Sequence, residues 1–240
     1  MLLATDLDGT FLGGTTEQRE KLYHIIQNDP AIKLVFVSGR GLHSILSLFT
    51  SDPPVPYPDC IICDVGATII NGYTHEAIEP LQGDIEKKWP GREAIMSRLK
   101  HFKNLIPQDV PQERRCSFFF NGDTDMKLLR EQVQQLGCDI IFSAGKFVDI
   151  LPKAVNKGST LKQYINLINY PATDVLVAGD TFNDLSLFTT GYNGVVVGNA
   201  EPGLMESTAD QHHLYNATEE GAGGILESMN YFPAFRKWVI

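Results

Sequence analysis

Short apolar runs alternate with stretches of helical spacing along the first third of the chain. Leu2-Leu3-Ala4 is too short for a helix and reads as a strand. Leu22, Ile25 and Ile26 then share one helical face behind Thr15 or Thr16 as an N-cap, and Asn28-Asp29-Pro30 ends that helix. Lys33 to Val37 is apolar throughout after Lys33, the composition of a parallel strand buried on both faces. Leu42, Ile45, Leu46 and Phe49 mark a second helix, Asp52 to Pro58 a proline-rich connector, and Cys60 to Cys63 a third strand. The order βαβαβ predicts a parallel sheet with right-handed crossovers.

Between about Glu79 and Leu151 the rhythm changes. Leu81 to Trp89, Arg92 to Phe102 and Asp125 to Leu136 are spaced as helices. Cys116 to Phe120 reads as a strand. Asp139 to Phe142 and Phe147 to Leu151 read as two more, joined through Ser143-Ala144-Gly145-Lys146 as a hairpin. From Asn156 the first rhythm resumes: helix from Lys157 to Ile168, strand from Asp174 to Ala178, short helix from Leu185 to Phe188, strand from Gly194 to Gly198, helix from Gly221 to Met229. The expected fold class is therefore α/β, a doubly wound parallel sheet formed by residues 1–80 and 151–240, with an inserted α+β domain at 81–150.

Composition leaves this picture intact and narrows the function. The 240 residues are 43% hydrophobic and 20% charged, an ordinary globular balance. A net charge of −9 argues against nucleic acid or an anionic membrane as partner. The insert holds 11 Lys/Arg and 10 Asp/Glu, so the acidity lies in the rest of the chain. No signal peptide and no apolar run of about 20 residues is present, so a cytoplasmic location is expected. Cys60 and Cys63 sit three apart on a strand and should face opposite ways, as core thiols rather than a metal or redox pair.

The polar residues that interrupt this pattern fall just after the apolar strands. Asp6 and Asp8 follow the first, Ser38 the second, and Asp180 and Asp184 a later one; Lys157 opens a helix. In an open parallel sheet, ligands bind beyond the carboxyl ends of the strands. Asp6 and Asp8 taken alone fit either an acidic turn or a metal site. With the other residues they fit phosphoryl transfer. Asp6 can act as nucleophile and Asp8 as acid and base, while Ser38 and Lys157 face the phosphoryl oxygens. Asp6, Asp8 (through its carbonyl), Asp180 and Asp184 can supply oxygens to Mg²⁺, directly or through water.

The Asp6-Leu7-Asp8-Gly9-Thr10 loop, the strand ending in Ser38, Lys157 and Gly179 to Asp184 resemble, in order, the four motifs of haloacid dehalogenase (HAD) superfamily phosphatases. The insert resembles a type C2B cap. Phe142 to Pro152 followed by Asn156-Lys157-Gly158, Val65 to Thr68, and Gly194 to Pro202 are similar to the sucrose-phosphatase family. That resemblance implies Mg²⁺-dependent hydrolysis of sucrose-6-phosphate or a similar disaccharide or glycoside phosphate, and association with a sugar-phosphate glycosyltransferase. Thr181-Phe182 and Arg114-Arg115 depart from the family's usual residues. Gly39, Arg40, Gly66, Thr68, Arg115, Lys146, Asp149 and Asn183 are the candidates for substrate contact. Arg40 and Thr68 could equally support loops, and Phe118-Phe119-Phe120 reads as core of the insert rather than a stacking platform. A phosphomutase or a non-catalytic sugar-phosphate sensor would use the same motifs. The 27 residues between Thr10 and Ser38 leave no room for the helical cap usual in mutases.

Overall fold

The computed structural model describes residues 1–50, 54–110, 112–120, 124–143 and 145–239. Asp52 and Pro53 of the proline-rich connector, and Ala144 of the hairpin turn, lie outside them. Eleven strands form two sheets among the described residues. The larger contains β1 (Leu2–Thr5), β2 (Lys33–Val37), β3 (Cys60–Cys63), β4 (Thr68–Asn71), β9 (Val175–Gly179), β10 (Asn193–Val196) and β11 (Leu214–Asn216). Their spatial order is β11-β10-β9-β1-β2-β3-β4, parallel except where β4 turns back against β3. The smaller sheet is antiparallel, in the order β5-β6-β8-β7, from β5 (Leu105–Pro107), β6 (Cys116–Phe120), β7 (Cys138–Ser143) and β8 (Phe147–Pro152).

Alternation along the buried strands divides the large sheet's core in two. Leu3 and Phe36 face one layer, packed on α1 (Thr16–Asn28) and on α9 (Gly221–Tyr231). Leu2, Ala4 and Val35 face the other, packed on α6 (Lys157–Leu167) and α7 (Leu185–Phe188). Cys60 and Cys63 fall in opposite layers as their spacing requires, and all four cysteines are buried and unpaired. Parallel register sets Thr5 of β1 beside Phe36 of β2 and Ala178 of β9. Asp6, Ser38 and Asp180 therefore leave the sheet along one edge. No helix among the described residues is long and apolar enough to cross a membrane.

The small sheet packs one face on α4 (Arg92–Leu99) and α5 (Met126–Gln134). Here the sequence expectation for the phenylalanine run needs correction. Phe118 is in that core at 2% exposure, but Phe119 points from the opposite face and is 45% exposed. Successive residues of a strand must face apart, so three consecutive aromatics cannot all be core. Phe118→Ala should cost about 3–5 kcal/mol in urea unfolding and Phe119→Ala less than about 1 kcal/mol. Equal costs would contradict the assigned faces.

Candidate active site

The first loop does not stay extended after Asp6. Leu7–Phe11 coils tightly, with Leu12 N–H reaching Leu7 O at 2.9 Å and Gly9 at φ +78°. Gly9 is required there: its φ is left-handed, and a side-chain carbon would overlap the Asp180 carboxylate. Asp6 stays at the end of β1, buried, its N–H on Ala178 O at 2.9 Å.

Lys157 is the cation of the site and is wholly buried. Asn156 caps α6, with its side chain accepting from Ser159 N–H, and this fixes Lys157 in the first turn. The ammonium donates to Asp6 Oδ1 at 2.6 Å, Asp184 Oδ1 at 2.6 Å and Asn183 Oδ1 at 2.7 Å. Burial alone would push Lys157 down; Asp184 and Asp6 overturn that and hold it above its ordinary value.

Asp6, Asp180 and Asp184 form a buried cluster whose ligand oxygens lie within 4.8 Å of one another. Burial raises Asp6, with Lys157 opposing it and Asp184 adding to it. Burial and then Asp184 push Asp180 up to about 7, although Thr10 donates to its Oδ1 at 3.0 Å. Three carboxylates gather beside one ammonium, which bonds Asp6 and Asp184, and this set of hard oxygens fits Mg²⁺. Within the cluster the roles differ. Both Asp184 oxygens are engaged, Oδ1 by Lys157 and Oδ2 by Asp180 N–H and Thr181 N–H at 3.1 Å each. Asp184 thus orients Lys157 and the loop.

Asp8, expected to reach the metal through its backbone carbonyl, keeps its side chain outside the cluster. Its side chain is 62% exposed and held by Arg40, Nε to Oδ2 at 2.7 Å and Nη2 to Oδ1 at 2.5 Å. The coil after Asp6 interrupts the period of two and turns the two carboxylates apart. Ser38 is buried at the end of β2, its hydroxyl accepting from Arg40 N–H at 3.1 Å.

A cleft of about 410 Å³ opens where the two sheets meet, lined by Gly39, Arg40 and Asn183 from the large-sheet side and Arg115, Phe147 and Asp149 from the small. Arg115 is buried and joins the two sides: Nη1 donates to Gly39 O at 2.7 Å and lies 3.5 Å from Asp149 Oδ1, and Nη2 lies 3.5 Å from Asp64 Oδ1. Ser117 Oγ donates to Asp149 at 2.5 Å. Three candidates stand elsewhere. Thr68 donates to Asp64 Oδ2 at 3.0 Å. Gly66, at φ +105°, packs on the Asn156–Lys157 backbone and seats α6. Lys146 lies outside the cleft lining, its ammonium 4.9 Å above the Phe147 ring.

Sequence reasoning passed over Asp64, Thr10 and Asn199. Asp64 is buried at φ +51°, and Asn199 ties Gly9 O to Gly221 N–H. Asp64 carried a usable signal, the same polar residue directly after an apolar strand that marks Asp6. Arg115→Met should cost about 3–5 kcal/mol in urea unfolding, since it strands Asp64 and Asp149 without a cation. An unchanged midpoint would remove Arg115 as the tie between the sheets.

Residues 1–233 match the sucrose-6F-phosphate phosphohydrolase family. Glucosylglycerol-phosphate synthase of Pseudomonas anguilliseptica is 46% identical over 234 residues, 97% of this chain but 31% of that protein. Mannosylfructose-phosphate phosphatase of Agrobacterium fabrum is 30% identical over 244 residues, 96% of each. The structure of the sucrose-phosphatase from Synechocystis in complex with sucrose and phosphate is 26% identical, with a TM-score of 0.84 over 97% of both chains. A haloacid dehalogenase-like hydrolase from Bacillus subtilis, 17% identical, shares the fold at a TM-score of 0.69 over 98% of this chain and 92% of its own.

Proposed function

The chain belongs to the sucrose-6F-phosphate phosphohydrolase family, HAD-type phosphatases that hydrolyse phosphoric monoesters, and from that footing we propose that it dephosphorylates a glycoside phosphate through an aspartyl-phosphate on Asp6. Glucosylglycerol phosphate stands first among the candidates because the 46%-identical relative is named for it. Sucrose-6-phosphate and mannosylfructose phosphate follow from the other relatives. The observation that carries the reading is the buried Asp6–Lys157 pair beside a cleft built from both sheets. Residues 81–150 act as the cap over it.

An Asp6 carboxylate oxygen attacks phosphorus and the phosphorus–alkoxide bond breaks. Asp8, released from Arg40 and protonated from solvent, gives the leaving oxygen that proton. Asp8 then takes a proton from water as that water attacks the phosphoaspartate, returning Asp6 and freeing phosphate. Ser38 donates to a phosphoryl oxygen and Lys157 offsets the charge that gathers around Asp6. Asp6 and Asp180 would hold Mg²⁺, with Asp184 behind them; when bound, the ion supplies positive charge to the phosphoryl oxygens. Closure of the cap excludes bulk water during the transfer.

Phosphate release from a panel of sugar and glycoside phosphates tests this. Release should be fastest with glycoside phosphates, be lost on EDTA treatment and return with Mg²⁺. Binding without release would leave a sensor, and conversion to an isomeric phosphate would leave a mutase. The match to 31% of a synthase supports a partnership with the glycosyltransferase that makes the substrate, in the cytoplasm. Co-purification with that enzyme is the expected result.

A further inference from the structure

Arg115 belongs to the small sheet's side of the cleft, one residue before β6, yet its short hydrogen bond crosses to the large-sheet side. Nη1 donates to Gly39 O at 2.7 Å, whereas the Asp64 and Asp149 oxygens stand 3.5 Å away. The Gly39 carbonyl shares a peptide group with the Arg40 N–H, and that N–H donates to Ser38 Oγ at 3.1 Å. A continuous path therefore runs from the guanidinium, through one peptide, to the hydroxyl assigned to the phosphoryl oxygen. Each link points the same way, donor to carbonyl and then N–H to hydroxyl. Hydrogen bonds in such a chain polarise one another, so a cation on the carbonyl strengthens the N–H as a donor.

The path acts on the direction of the Ser38 hydroxyl as well as on its strength. A hydroxyl has one hydrogen and two lone pairs, and a lone pair that accepts from Arg40 N–H turns the hydrogen elsewhere. Among the described residues that hydrogen is given to no protein group, although Ser38 is buried. The rest of the turn is already fixed by the segment that follows β3. Ser38 N–H donates to Ile62 O at 2.8 Å, Val65 N–H to Ser38 O at 3.1 Å and Asp64 N–H to Arg40 O at 2.9 Å. The Gly39–Arg40 peptide lies between these anchors and follows a glycine, so it is the part freest to rotate. We infer that Arg115 is a positioning residue for Ser38: seating the small sheet on the large one fixes this peptide, and the peptide aims the Ser38 hydroxyl at the phosphoryl oxygen. Closure of the cap then completes the phosphate site as well as covering it. The inference rests on the phosphatase reading above, in which Ser38 meets the phosphoryl group.

Arg115→Lys keeps a cation between Asp64 and Asp149, but a single ammonium on a shorter reach cannot also hold the Gly39 carbonyl. A double-mutant cycle with Ser38→Ala separates the relay from a general loosening of the cleft. Inorganic phosphate, titrated calorimetrically in Mg²⁺ buffer, reads the cycle without turnover. Arg115→Lys should weaken phosphate binding about tenfold where Ser38 is present and less than about twofold in Ser38→Ala. The kcat for a glycoside phosphate should follow the same pattern. Equal losses in the two backgrounds, or no loss in either, would overturn the relay. The Arg40 amide proton gives a second measurement: its NMR resonance should move upfield in Arg115→Lys as the bond to Ser38 weakens, and an unmoved resonance would overturn the relay as well. The expected phosphate pattern in a wild type that releases phosphate from no glycoside phosphate would instead sink the phosphatase reading and leave the relay standing.

Discussion

Asp6→Asn should lower phosphate release by about a thousandfold or more, with no loss of fold stability. The amide is nearly the same size and keeps an oxygen for the Lys157 ammonium, so the hydrogen bond at 2.6 Å has a substitute acceptor. It cannot attack phosphorus. The stability half of the expectation comes from charge. Asp6, Asp180 and Asp184 are all buried around one lysine, and Asp184 and Asp180 each push Asp6 upward after burial has done so. Removing the Asp6 charge relieves both neighbours, so the melting temperature without Mg²⁺ should equal or exceed that of wild type. Adding Mg²⁺ should raise it less than in wild type, because one direct ligand is gone. Activity near wild type would refute Asp6 as the nucleophile. A collapsed melting temperature would show that the carboxylate holds the site together rather than straining it.

The parts of this site that the sequence displays are those fixed by strand termination. Asp6, Ser38 and Asp180 each close an apolar run, and parallel register carries all three to one edge. The helices and long strands were legible for the same reason, since burial imposes a period. What escaped has no period to show. β4 and β11 are four and three residues long and finish the sheet at its edges, and β5 is equally brief. The Asp8–Arg40 pair arises from a coil whose geometry depends on Gly9 meeting Asp180, a contact 171 residues away in the chain. Arg115 reaches Gly39 across 76 residues, and only the packing of one sheet against the other brings them together. Alternation reads the Phe118-Phe119-Phe120 run as core of the insert but does not fix which ring leaves it: Phe118 is buried and Phe119 is exposed.

Lys157→Met should damage both function and fold. Methionine keeps the length and the apolar stem but removes the ammonium shared by Asp6, Asn183 and Asp184. Leaving a buried charge without its partner typically costs about 3–5 kcal/mol, and the loss of a positioned cation about a hundredfold in rate or more. The pH dependence has a definite sign. Burial already holds Asp6 up at about 8, and Lys157 is the main influence lowering it. Without the lysine, Asp6 must rise further. A carboxylate whose folded value exceeds its unfolded one weakens the fold at every pH above the unfolded value; the penalty is complete above the folded value and shrinks as the pH falls from there toward the unfolded one. Thermal melts in EDTA should therefore show a Lys157→Met deficit that is largest in alkaline buffer and shrinks as the pH falls through the raised Asp6 value. Mg²⁺ should narrow the same deficit at high pH, because a divalent cation restores charge to the same oxygens. A deficit that stays constant with pH and ignores Mg²⁺ would mean that Lys157 contributes packing alone. The charge balance assigned to the cluster would then be wrong.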